Sequence, residues 1–261
     1  MVTYIFLALG FIAFVLFAMF RDKRSSATAI CFKSVVSLMF IATAIAAILE
    51  NGHREAVLLP ALLIIGGLAL GMVGDITLDF KIYLKGLPYG EAEKDSDKMT
   101  YIGMAAFGVG HVLYITATAL RAGAGMDMLY SALIALGVTA AIFCLSIFVL
   151  KMRFGKFLIP SISYCVLLTW FVAYSAWRLA AFHSTANALL LVGAIMFIVS
   201  DLILSTTYFS KPEDYNKKGM MNPESKFMIV ANHATYYIAQ TSLLNSRRGC
   251  RTKRPCSRTK V

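Results

Sequence analysis

An all-α bundle of about eight membrane-spanning helices is the fold the sequence predicts. Three observations carry that expectation. Of 261 residues, 59% are apolar, and the mean hydropathy is +0.71. Only 15% are charged, against about 25% in an ordinary soluble domain. The apolar residues also fall into runs of about 20, the length a bilayer requires. A soluble protein of this size cannot hide so much apolar surface. Disordered chains, disulfide scaffolds and ordinary soluble enzymes are thereby excluded.

The expected spans run over 3–20, 27–49, 56–78, 100–120, 128–150, 157–180, 185–208 and 226–244. The first begins at Tyr4 with no basic region before it. Arg21-Asp22-Lys23-Arg24 follows it, so it reads as a first span and not a cleaved signal. Pro60 and Pro160 stand at the starts of spans 3 and 6, where proline is tolerated. The longest connection is 79–98, in which nine of twenty residues are charged and Gly86, Pro88 and Gly90 break a helix. A second polar loop, Lys211 to Glu224, contains Pro212, Gly219 and Pro223. His53 and His183 fall in loops and suggest no chemistry.

Charge is unevenly placed. The net charge is +11, but seven Lys/Arg lie in 245–261 with no acid; the remaining 18 basic and 14 acidic residues leave +4. Residues 1–244 therefore read as one transmembrane domain, and 245–261 as a disordered basic tail that touches anionic lipid. No nucleic-acid partner is expected, since no aromatic or motif context accompanies the basic residues. The loops after spans 1, 3, 5 and 7 hold thirteen Lys/Arg against three in the opposite loops. That asymmetry places the former in the cytoplasm, although the tail then falls on the other side. The five cysteines (31, 144, 165, 250 and 256) make no CxxC, so neither a zinc ribbon nor a disulfide framework is indicated.

A weak repeat marks the residues of interest. Gly67-x6-Gly74-Asp75-Ile76-x-Leu78 in span 3 parallels Gly193-x6-Ser200-Asp201-Leu202-x-Leu204 in span 7. The span after each carries His-x-x-Tyr: His111 to Tyr114, and His233 to Tyr236. A shift of four spans preserves orientation, so the pattern suggests a 4+4 parallel duplication. The Gly67-x3-Gly71 spacing reads as helix packing.

Ionisable groups inside a bilayer are costly unless paired or hydrated, so each is a functional candidate. Asp75 lies about a turn inside the end of span 3, and Asp201 about two turns inside the end of span 7. Asp79 sits one turn beyond Asp75, at the loop edge, where capping a helix or bonding a neighbouring one is the simpler expectation. His111 lies mid-span, with Tyr114 on nearly the same face. Asn232, Tyr236 and Gln240 form one polar stripe at four-residue intervals, flanked by His233 and Tyr237. Such a stripe faces protein or a wet cavity. Two carboxyl groups with His and Tyr suit general acid–base chemistry, in which one carboxyl donates a proton and the other acts as base. No serine elbow, phosphate loop or HExxH occurs. No ligand spacing singles out a metal, and no cofactor is expected.

At these residues the chain resembles the YhhN family of membrane proteins, which includes lysoplasmalogenases. The resemblance rests on Val73-Gly74-Asp75-Ile76-Thr77-Leu78, on Phe107 to Tyr114, on Phe197-Ile198-Val199-Ser200-Asp201-Leu202 and on Thr235-Tyr236-Tyr237-Ile238-Ala239-Gln240. It covers nearly the whole chain to about residue 244. The chain departs from the family pattern at His233, where a small polar residue is expected, and in the long charged segment 79–98. The resemblance implies hydrolysis of the vinyl ether bond of a lysophospholipid. Asp75 and Asp201 would be catalytic, and His111, Tyr114, Ser200, Tyr236 and Gln240 would orient water and substrate. Asp79, Asn232, His233 and Tyr237 are secondary candidates. The partners implied are the lysophospholipid and membrane lipids, with no oligomeric state indicated. Two other classes share these residue types: a transporter with an Asp/His proton relay, and a metal-dependent lipid hydrolase.

Overall fold

The structure, a computed structural model, describes residues 2–21, 26–51, 55–85, 92–122 and 125–246. Eight long helices occupy nearly all of it, and no strand occurs among the described residues. They are α1 (Val2–Phe20), α2 (Ala27–Asn51), α3 (Glu55–Lys85), α4 (Ala92–Ala122), α5 (Met126–Cys144), α6 (Leu158–Ala181), α7 (Thr185–Phe209) and α8 (Lys226–Asn245). The first seven, α5 taken with the π-helical turn Leu145–Val149 that ends it, are long and apolar enough to cross a bilayer. The chain is an integral, multi-pass membrane protein. The eighth, α8, is a 20-residue helix of lower hydropathy that buries Asn232, His233 and Gln240 against its neighbours.

Most of the expected spans match these helices within a few residues. The segment 79–98 does not. Helix α3 continues to Lys85 and α4 begins at Ala92, so each runs about two turns past its expected limit. Charge at 79 and 81 signals a loop to a hydropathy reading, yet Asp79 and Lys81 are both buried in α3. Gly86, Pro88 and Gly90 lie outside the described residues, as do His53 and most of the basic tail, including Cys250 and Cys256.

Sequential helices pack as hairpins: α1 on α2, α3 on α4, α5 on α6 and α7 on α8. The halves also meet at equivalent places, α4 against α6 and α8 against α2, as a shift of four helices requires. Glycines on α3 allow the closest approaches. A Cβ at Gly67 would lie 2.3 Å from the Tyr114 ring, and one at Gly74 would lie 2.4 Å from the Phe107 ring. One at Gly71 would be 2.9 Å from the Tyr236 hydroxyl. These glycines therefore seat the aromatic side chains of α4 and α8 against α3. The polar loop between α7 and α8 is ordered by its own bonds: Asn222 Nδ2 donates to the Tyr215 and Lys217 carbonyls, and Ser225 caps α8 through the Met228 amide.

Candidate active site

Two cavities meet inside the bundle. The first is apolar, with about 770 Å³ of free space including its mouth. Side chains from α3 to α7 wall it, among them Met104, Phe107, Ile142, Phe143, Leu168 and Phe209. The second has about 560 Å³ of free space and a polar wall: Arg21, Lys33, Asp75, Asp79, Ser200, Asp201, Asn232, His233 and Tyr236. Leu78, Phe107, Asp201, Leu204 and Tyr208 line both. Asp201 thus stands at the partition, with an apolar chamber on one side and a polar one on the other.

The two carboxyl groups sit in different electrostatic settings. Asp75 Oδ1 lies 3.3 Å from Lys33 Nζ, and Asp75 Oδ2 accepts from Ser37 Oγ at 3.2 Å. The same ammonium is 3.4 Å from Asp79 Oδ2, and Asp79 Oδ1 is 3.5 Å from Arg21 Nε. Arg21, Lys33, Asp75 and Asp79 are all at most 5% exposed. Two cations facing two carboxylates give a neutral cluster, which offsets much of the penalty of burying each charge alone. Among the described residues, Asp201 has no cation within ion-pair distance. Its Oδ2 accepts from the Tyr164 hydroxyl at 2.7 Å.

Asp79 bonds a neighbouring helix, through Lys33 of α2, and is the buried centre of that ion-pair cluster rather than a residue of a loop edge. Arg21 is likewise buried and paired, not a free loop charge. Neither Lys33, Ser37 nor Tyr164 stood out in the sequence. Lys33 carried a usable signal, a lone ammonium within an apolar span. Ser37 and Tyr164 carried none, since serine and tyrosine are ordinary in spans. Their equivalence shows in the register: Ser37 precedes Asp75 by 38 residues, and Tyr164 precedes Asp201 by 37.

Of the residues singled out in the sequence, Asp75, Asp79, Ser200, Asp201, Asn232, His233 and Tyr236 come together around the polar cavity. Ser200 Oγ reaches Asn232 Oδ1 at 2.8 Å, which ties α7 to α8 beside Asp201. Tyr236 lies next to Asp75 without reaching good hydrogen-bond geometry. The stripe Asn232, Tyr236, Gln240 does face the interior. Gln240 is buried a turn beyond Tyr236 and lines neither cavity. Tyr237 stacks on Phe40 at 5.3 Å and meets Phe14 edge-on at 5.2 Å. His111 and Tyr114 also line neither cavity. The His111 ring is boxed by Tyr114, Tyr164, Phe171 and Phe197, all within 6.1 Å of it. Among the described residues, no three His, Cys, Asp or Glu side chains converge as a metal site.

Fold and site together define a multi-pass membrane protein with buried carboxyl groups around a polar cavity, one of which, Asp201, also borders an apolar cavity. The YhhN family model matches residues 28–247, and the chain belongs to that family. No curated protein and no solved structure matches it.

Proposed function

We propose that this protein hydrolyses the vinyl ether bond of a lysoplasmalogen, releasing a fatty aldehyde and a glycerophospho-choline or -ethanolamine. The observation that carries the reading is the placement of Asp201 on the partition, opposite an Asp75 that is held by a cation. Membership of the YhhN family, which includes lysoplasmalogenases, supports it. The alkenyl chain lies in the apolar cavity, and the glycerol and water occupy the polar one. That arrangement puts the vinyl ether at the junction, against Asp201.

The chemistry follows from the surroundings of each carboxyl. A carboxylate with no cation beside it is expensive inside a bilayer, so Asp201 is the group that holds a proton. Its O–H bond breaks as a C–H bond forms at the β-carbon of the vinyl ether. The positive charge that results is shared by the α-carbon and the ether oxygen. Asp75, 3.3 Å from the Lys33 ammonium, takes a proton from water as the water oxygen bonds to the α-carbon. The hemiacetal then collapses: its hydroxyl proton passes to Asp201, the bond to the glycerol oxygen breaks, and that oxygen takes the proton that Asp75 had accepted. The sum is substrate plus one water giving aldehyde plus alcohol, with both carboxyl groups restored. This is the division of labour of paired carboxyl groups at glycosidic bonds. The membrane concerned is one that contains such lipids, the plasma membrane or endoplasmic reticulum.

The test is aldehyde release from a lysoplasmenyl lipid by purified protein in detergent, with and without EDTA. Release that survives EDTA and is lost in D201N and D75N is the expected result. Release abolished by EDTA turns the reading to a metal-dependent hydrolase. No release from folded protein withdraws the substrate and makes transport the next activity to assay.

A further inference from the structure

The two histidines of the repeat are held alike and face different surroundings. His111 Nδ1 is 2.8 Å from the Phe107 carbonyl, and His233 Nδ1 is 2.7 Å from the Ile229 carbonyl, each four residues back on its own helix. A carbonyl oxygen only accepts, so Nδ1 carries the proton in both rings and Nε2 is left as a bare acceptor. Both Nε2 atoms are buried without a hydrogen-bond partner among the described residues. His111 Nε2 is enclosed by aromatic rings. His233 lines the polar cavity with Asp75, Asp79 and Lys33, its ring resting on Phe17 at 4.6 Å. The Nδ1–H bond turns the opposite edge of the ring away from α8. His233 is 6% exposed, so bulk water does not satisfy that atom.

We propose that His233 Nε2 accepts a hydrogen bond from an O–H group inside the polar cavity. Two sources supply that chemistry: the free glycerol hydroxyl of a lysolipid, or the water consumed in hydrolysis. The inference rests on the proposed function for the identity of the lipid. If the donor is the glycerol hydroxyl, His233 sets specificity. A second acyl chain would remove the O–H and leave a buried acceptor unmet, which is how a polar site rejects an analogue that lacks its partner.

The deciding measurement is binding, which needs no turnover. A saturated 1-O-alkyl lysophospholipid and its 2-deoxy analogue are titrated into the full chain, and into H233L and H233Q, in detergent. If the glycerol hydroxyl is the donor, the wild type binds the hydroxy lipid about tenfold more tightly, the equivalent of one good hydrogen bond. H233L abolishes that preference, and H233Q, which keeps an acceptor oxygen, retains part of it. If water is the donor, binding is unchanged, but kcat on the vinyl ether falls in H233L, is partly rescued in H233Q, and falls alike with and without the 2-hydroxyl. Equal binding of both lipids together with unchanged kcat in H233L overturns the proposal, as does failure of the wild type to bind either lipid. A chain that binds with hydroxyl preference but releases no aldehyde refutes the hydrolase and leaves the hydroxyl contact standing. In a chain that releases no aldehyde, equal binding of the two lipids overturns the contact as well. The wild-type preference between the two lipids needs no variant, so a poorly folding H233L does not block the test.

Discussion

The Asp75 and Asp201 halves of the site have the same backbone plan, but only the Asp75 half holds cations beside its carboxyl group. In each, a hydroxyl on the second helix of the half donates to a carboxyl on the third, from Ser37 to Asp75 and from Tyr164 to Asp201. In each, a histidine on the fourth helix bonds its own turn. Only the first half contains Lys33 and Arg21. A repeated scaffold thus holds two chemically distinct carboxyl groups, because a single ammonium on α2 has no counterpart on α6. Acid–base catalysis at neutral pH needs that kind of difference between paired carboxyl groups.

The sharpest way to break the comparison is to neutralise each carboxyl. D201N and D75N are each expected to lower aldehyde release by about 10²–10⁴-fold, the usual worth of a positioned acid or base. Full activity in either folded variant would remove that half from the chemistry. The next effect falls on stability and on one half alone. K33M leaves Asp75 without its cation and Asp79 with Arg21 only, and breaking a buried pair costs about 3–5 kcal/mol. Thermal unfolding in detergent should show this loss, and K33M/D75N should recover most of it, because it removes the orphaned carboxylate and leaves Asp79 paired with Arg21.

Smaller effects sharpen the picture. G67A places a methyl group within 2.3 Å of Tyr114 Cε1, and separating α3 from α4 to admit it costs about 1–3 kcal/mol. Y164F removes the single hydrogen bond to Asp201 and should cost about 1 kcal/mol of stability, well below K33M. Activity in Y164F should fall further than stability if Tyr164 orients the acid. The smallest expected effect is outside the membrane. Lys217, 2.6 Å from Asp214, holds that half-buried carboxyl below the usual carboxylate range. A depressed carboxyl stabilises the fold above its unfolded value and loses that contribution as the pH falls through the folded one. K217A should therefore lower the unfolding temperature slightly at neutral pH, and its difference from wild type should vanish as the pH falls through the carboxylate range.

Hydropathy made six of the eight helices legible almost to the residue, because a bilayer imposes length and apolarity on any span. It failed at 79–98, where charge signals solvent. Asp79 is instead met by Lys33 and Arg21, and Lys81 lies 4.1 Å from the Tyr208 ring centroid. These partners are more than 40 residues away in sequence, so no local pattern reveals them. The intramembrane rule picked out Asp75 and Asp201 for the same reason that it would have picked out Lys33: a lone charge in an apolar run has to be satisfied somewhere. Ser37 and Tyr164 acquire meaning only from the atoms that they touch.

By itself, the sequence determined that this chain spans the membrane as a helical bundle and that two carboxyl groups lie inside it at matching positions. Both follow from one-dimensional facts, the length of apolar runs and the rarity of charge within them. The tertiary structure decided which side chains share a cavity. It brought Asp79 and His233 in, left His111 and Tyr114 in an aromatic box, and set Lys33 beside one carboxyl and not the other. Those outcomes depend on how each helix is rotated and how closely it approaches its neighbours, and only the packing of the whole bundle sets them.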